Sequence, residues 1–77
     1  MDNWNAFLEK KVNVSVAFSK AYVDGGSAPH VYSGIVKSIN NDSIILSDVS
    51  TVQGFNKTVN LNNILINKNY IIYIEEM

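Results

Sequence analysis

Side chains able to carry covalent or proton-transfer chemistry are few in this sequence, and their spacing does not suit it. There is one histidine, His30, beside Pro29 at what reads as the entrance of a strand, and there is no cysteine. That removes thiolate nucleophiles, thiolate metal sites and disulfides, and a lone imidazole cannot build a structural zinc site. The acidic residues Asp24, Asp48, Glu75 and Glu76 show no paired spacing for acid–base work; they read as charges that keep edges and ends soluble. Gly25-Gly26 could suggest a phosphate cradle, but neither a helix start nor a Lys-Ser/Thr pair follows it. With no nucleophile–base pair, the residues support no enzyme, and neither a cofactor nor a metal is expected.

The remaining chemistry is that of binding. All six basic residues are lysines, against seven acidic residues, for a net charge of −1. A broad basic face gripping duplex DNA is therefore not expected, because phosphate neutralisation dominates such affinity. A few contacts concentrated on a repeated assembly remain compatible with this charge. Asn13-Val14-Ser15, Asn41-Asp42-Ser43 and Asn56-Lys57-Thr58 match the glycosylation pattern, and chance accounts for them in so Asn-rich a chain. No basic segment followed by an apolar run opens the chain, and no apolar stretch approaches the roughly 18 residues of a membrane span. The expectation is a cytoplasmic protein that does not enter membranes.

The elements that must position any binding residues belong to one domain, 1–77. Hydrophobic residues make up 47% of the 77 positions and charged residues 17%, the balance of a folded domain. A chain of this size buries only about 60% of the surface its unfolded form exposes. Without disulfides or a metal, oligomerisation is the remaining source of extra stability. Asp2 or Asn3 can cap a short helix over about 2–10, with Trp4, Phe7 and Leu8 as an apolar stripe that covers the core. Residues 12–19 alternate apolar with small or polar side chains, the pattern of a half-buried strand. A long loop follows over about 20–29. A second strand over 31–39 carries Gly34 inside it, where a sharp bend or close backbone approach is expected. Asn40-Asn41-Asp42 supplies turn residues, Ile44-Ile45-Leu46 begins a third strand, and 47–57 reads as a polar connection containing Gly54. In the fourth strand, 58–66, the apolar phase shifts: Val59 and Leu61 have one parity, Ile64 and Ile66 the other. A bulge or kink is expected at Asn62-Asn63. Asn67-Lys68-Asn69 is a tight connection to a fifth strand, 70–74. A helix followed by strands, with no helix between them, excludes a βαβ sheet and predicts a small, strongly bent antiparallel barrel.

This layout is that of SH3-like barrels, and two stretches resemble the Sm-like (LSm/Hfq-type) family more specifically. Tyr32-Ser33-Gly34-Ile35-Val36-Lys37-Ser38-Ile39-Asn40 is similar to the family's first motif, with Asn40 where an acidic residue is usual. Leu61-Asn62-Asn63-Ile64-Leu65-Ile66-Asn67-Lys68-Asn69-Tyr70-Ile71-Ile72-Tyr73-Ile74 resembles the end of its second motif, with Asn67-Lys68 standing where the family has Arg-Gly. The resemblance implies an all-β, five-stranded Sm-like barrel with a short N-terminal helix. It also implies a homo-oligomeric ring of five to eight protomers, closed by the fourth strand of one chain pairing with the fifth of the next through Tyr70, Ile71, Ile72, Tyr73 and Ile74. Family members bind single-stranded RNA at two loops near the pore. Carried over, this nominates Asn40, Asn41 and Ser43 in one loop and Asn67, Lys68 and Asn69 in the other, where Asn amides can read base edges and Lys a phosphate.

Asn40, Asn41 and Asp42, like Asn67, Lys68 and Asn69, are also good turn residues, and as such need no ligand. A second class of function therefore stands beside RNA binding: an oligomeric SH3-like barrel serving as a protein-interaction or structural module. The absence of Arg and the lack of an aromatic residue in either loop favour that alternative.

Overall fold

The structure is a computed structural model describing residues 3–17, 30–53 and 57–77. The expected long loop over 20–29, the end of the first predicted strand, the Gly25-Gly26 pair and Gly54 lie outside these residues.

Among the described residues are β1 (Lys11–Val16), β2 (His30–Ile39), β3 (Ser43–Gln53), β4 (Lys57–Asn67) and β5 (Ile71–Glu76). They form one antiparallel sheet in the order β4-β3-β2-β1-β5. β4 and β5 are thus the two edges. The nine side chains of the core come from all five strands: Val12, Val14, Val16, Val36, Ile44, Leu46, Val49, Ile66 and Ile74. Each contributes roughly 1.5–3 kcal/mol on burial. No helix among the described residues is long and apolar enough to cross a membrane.

The N-terminal element is shorter than expected. Instead of a helix over 2–10, one 3-10 turn spans Trp4–Phe7, and the Asn3 side chain makes no capping bond. The physical reason lies just beyond it. Glu9 adopts a left-handed backbone (φ 65°) that reverses the chain into β1. Its N–H then donates to the Val36 carbonyl at 2.7 Å, while Val36 N–H donates to the Lys10 carbonyl at 3.0 Å. These backbone groups are thus satisfied by pairing with β2 and not by further helical turns. Trp4 and Phe7 cover the core as expected, whereas Leu8 is exposed.

Gly34 lies where the β2–β3 register shifts, between Ser33 and Ile35. A Cβ there would stand 2.9 Å from the Ser47 carbonyl oxygen and 3.1 Å from Val49 Cγ2. The close approach read from the sequence is present, and the ladder is irregular at the same residue.

The third strand is a correction. The segment 47–57 does not read through as a polar connection: β3 continues to Gln53, paired residue for residue with β4. Val49 and Thr51 are buried on that extension while Asp48 and Val52 face outward. The polar residues Ser47, Asp48 and Ser50 hid a strand whose inward positions are β-branched. At Asn62-Asn63, where a bulge or kink is expected, no bulge interrupts β4 against β3. The register is the same from Ser43↔Asn67 to Gln53↔Lys57. The phase shift in β4 is real, because Ile64 and Ile66 are the less exposed positions after it, but β3 turns with it. Inward positions in β3 switch from Ile44 and Leu46 to Val49 and Thr51 across Asp48, which has φ 51°. Both strands switch their inward positions at the same level, so the register between them is kept. The fifth strand begins at Ile71, because Tyr70 belongs to a 3-10 turn, Lys68–Tyr70.

Candidate functional site

The two Asn-rich loops meet at one end of the sheet. Antiparallel pairing of β3 with β4 sets Ser43 opposite Asn67, bringing the β2–β3 turn beside the β4–β5 turn. Lys68 N–H donates to the Asp42 carbonyl at 2.7 Å, joining one turn to the other. Within the first turn, Asn40 N–H donates to the Ser43 carbonyl at 2.8 Å, and Asn40 Nδ2 donates weakly to Ser43 Oγ at 3.4 Å. Within the second, Asn67 Oδ1 accepts from Asn69 N–H at 2.8 Å and caps the short 3-10 turn. That is the local reason for an Asn at 67: its side chain closes a turn of its own.

All six nominated residues are therefore neighbours, but not equally accessible. Asn40, Asn41 and Asn69 are exposed, Asn67 and Lys68 are half-buried, and Ser43 is buried. The Lys68 ammonium lies 5.1 Å from the centre of the Trp4 ring, a cation–π distance. The sequence alone does not nominate Trp4 for this site. Its aromatic character is plain there, but its place beside this loop depends on where the N-terminal turn docks.

Along the edges, Leu61 and Leu65 are exposed on β4 and Ile72 and Tyr73 on β5, with Tyr70 exposed in the turn before it. Ile74 instead reaches the protomer's own core, opposite Val14, and Ile71 packs against that core. A groove of about 390 Å³ lies beside the β4 edge, lined by Val16, Tyr32, Ile64, Leu65, Ile66 and Tyr70 among others.

A further polar cluster lies toward the other end of β3. His30 Nε2 is 2.6 Å from Thr51 Oγ1, and Thr51 Oγ1 donates to the Val31 carbonyl at 2.8 Å. The Thr51 hydroxyl thus bridges the imidazole and the Val31 carbonyl. His30 also tilts against Tyr32, ring centres 4.7 Å apart. The imidazole is a partnered structural group. Among the described residues, no three His, Cys, Asp or Glu side chains gather where they could hold a metal ion.

No protein-family model matches this chain, and no curated protein sequence does. Among solved structures, it is similar to a heptameric archaeal Sm protein, with a TM-score of 0.71 over 95% of this chain and 93% of that one. The two are 15% identical, so what they share is architecture. This five-stranded antiparallel sheet has the Sm-like fold.

Proposed function

We propose that the chain assembles into a closed homo-oligomeric ring of five to eight protomers and binds short single-stranded RNA at its paired loops. The observation that carries the RNA reading is the junction of the two loops. It gathers exposed Asn40, Asn41 and Asn69 around Lys68, which is tied by its backbone to Asp42. Amides supply donors and acceptors for base edges, and the lysine supplies charge for a phosphate. In a ring, Lys68 recurs once per protomer, so a residue of little worth alone becomes a local positive band despite the net charge of −1 per chain.

Ring closure is supported by the edges. β4 and β5 carry Leu65, Ile72 and Tyr73 about half exposed or more, and no Pro or Lys blunts β5. Such edges pair with another chain unless protected. Pairing β4 of one protomer with β5 of the next is a heterologous contact that leaves no free edge once the rotation closes. The groove beside β4 offers a seat for an apolar side chain of the neighbour.

Native mass spectrometry of protein purified at low salt tests both parts, giving ring order and any retained RNA together. Labelled oligo-U and oligo-A titrated by fluorescence anisotropy then give affinity. The β2–β3 loop holds no aromatic and the β4–β5 turn only Tyr70, exposed at its end, so micromolar affinity is expected, given that stacking is worth about 1–3 kcal/mol per base. A stable monomer at micromolar concentration overturns the ring. A ring that binds neither oligonucleotide at low salt favours the second reading, a protein-interaction or structural module. That reading draws support from the polar groups already engaged inside the loops: Asn67 Oδ1 caps its own turn and the buried Ser43 hydroxyl faces Asn40.

A further inference from the structure

Lys68 is held from two directions. Its backbone is pinned by the bond to Asp42 and by the 3-10 turn that Asn67 caps. Its ammonium rests 5.1 Å from the centre of the Trp4 ring. Trp4 is itself half-buried and packed against the hydrophobic core, contacts that restrict the rotamers open to the indole. Among the described residues no carboxylate lies within 4.0 Å of this ammonium; the ion pairs there are Lys10–Glu76 and Lys37–Glu9. The charge is thus oriented by a ring quadrupole and left unneutralised. An ammonium has three N–H donors, and an aromatic face beneath it leaves donors on the far side for an anion.

We propose that Trp4 is a positioning residue for RNA binding: its indole holds the Lys68 ammonium at the junction of the two loops, ready for a phosphate oxygen. The inference rests on the RNA reading above and adds a residue that no loop contains. A free lysine side chain loses rotamer freedom when it engages a phosphate; one already resting on an indole has lost part of it beforehand. Trp4 therefore raises affinity without touching RNA.

The test compares Trp4→Leu, which keeps apolar bulk but no π face, with Trp4→Phe, which keeps a face. In the free protein, NMR of the Lys68 ε-methylene should show the upfield shift expected beside an aromatic ring in wild type and in Trp4→Phe. That shift should vanish in Trp4→Leu. Oligo-U affinity, read by anisotropy across a salt series, should fall about two- to fivefold in Trp4→Leu, as an exposed cation–π contact implies, and recover in Trp4→Phe. The salt slope should stay at the wild-type value, because the lysine still meets its phosphate. A packing role alone would not place the Lys68 resonance upfield in wild type. Unchanged Lys68 shifts in Trp4→Leu, equal affinity of Trp4→Leu and wild type, or no rescue by Phe each overturn the inference while wild type still binds. Failure of wild type to bind oligo-U overturns the RNA reading and this role with it.

Discussion

Gly34 offers the sharpest test of how the sheet bends. An added Cβ would stand 2.9 Å from the Ser47 carbonyl oxygen, 3.1 Å from Val49 Cγ2 and 3.4 Å from Val49 Cα. The first distance is roughly half an ångström inside ordinary van der Waals contact, and its partner is backbone held in the β3 ladder. The strain cannot be relieved by a rotamer change, so β3 must move away from β2 where their register already shifts. Overpacking of this kind costs about 1–3 kcal/mol, with Gly34→Ala toward the low end and Gly34→Val toward the high end. For a domain of this length each kcal/mol lowers Tm by roughly 4–8 °C, so Gly34→Val should melt about 8–20 °C below wild type. Urea titration followed by circular dichroism, at one fixed protomer concentration, measures the loss as a lower midpoint with unchanged slope. Lys37→Ala, an exposed position on the same strand, is the control and should stay within about 0.5 kcal/mol. In a Val49→Ala background the cost of Gly34→Ala should shrink only partly, because the carbonyl contact persists. If Gly34→Ala and Gly34→Val both match the control, the close approach does not govern the bend and the reasoning fails.

Ile72→Lys or Tyr73→Asp on the β5 edge should yield a smaller or unfolded species by light scattering; wild-type mass for both would remove β5 from the interface. Lys68→Ala should flatten the dependence of oligo-U affinity on salt, by about 0.7 in log–log slope for each phosphate no longer neutralised, without altering assembly. Thr51→Val removes the hydroxyl that bonds both His30 Nε2 and the Val31 carbonyl; because the bonds are only partly buried, about 0.5–1.5 kcal/mol of destabilisation in urea titration is expected. Ser47 Oγ is buried without a hydrogen-bond partner, so Ser47→Ala should be neutral or stabilising by up to about 1 kcal/mol in the same assay.

What the sequence alone determined was local and periodic. The alternation through Val12, Val14 and Val16 marks β1, and these residues are core because side-chain direction in a strand has period two. Gly34 inside an apolar run marks the close approach, since a strand rarely gives up a side chain without a steric reason. Absence of helix between strands limits the topology to an antiparallel sheet, and the Asn-rich turns mark both loops. The rest depended on contacts between distant parts of the chain. Ser47, Asp48 and Ser50 look like loop residues until β4 supplies partners for their backbone, and only that pairing makes 47–53 a strand. The phase shift in β4 gives no indication that β3 turns beside it at Asp48 and keeps the ladder whole. Trp4 reads as core cover, which it is. Its second contact, with Lys68, exists because the reversal at Glu9 docks the N-terminal turn near the β4–β5 loop. Periodicity reports which way a side chain faces. Which neighbour it meets there is decided by sheet order and register, and those are properties of the folded chain.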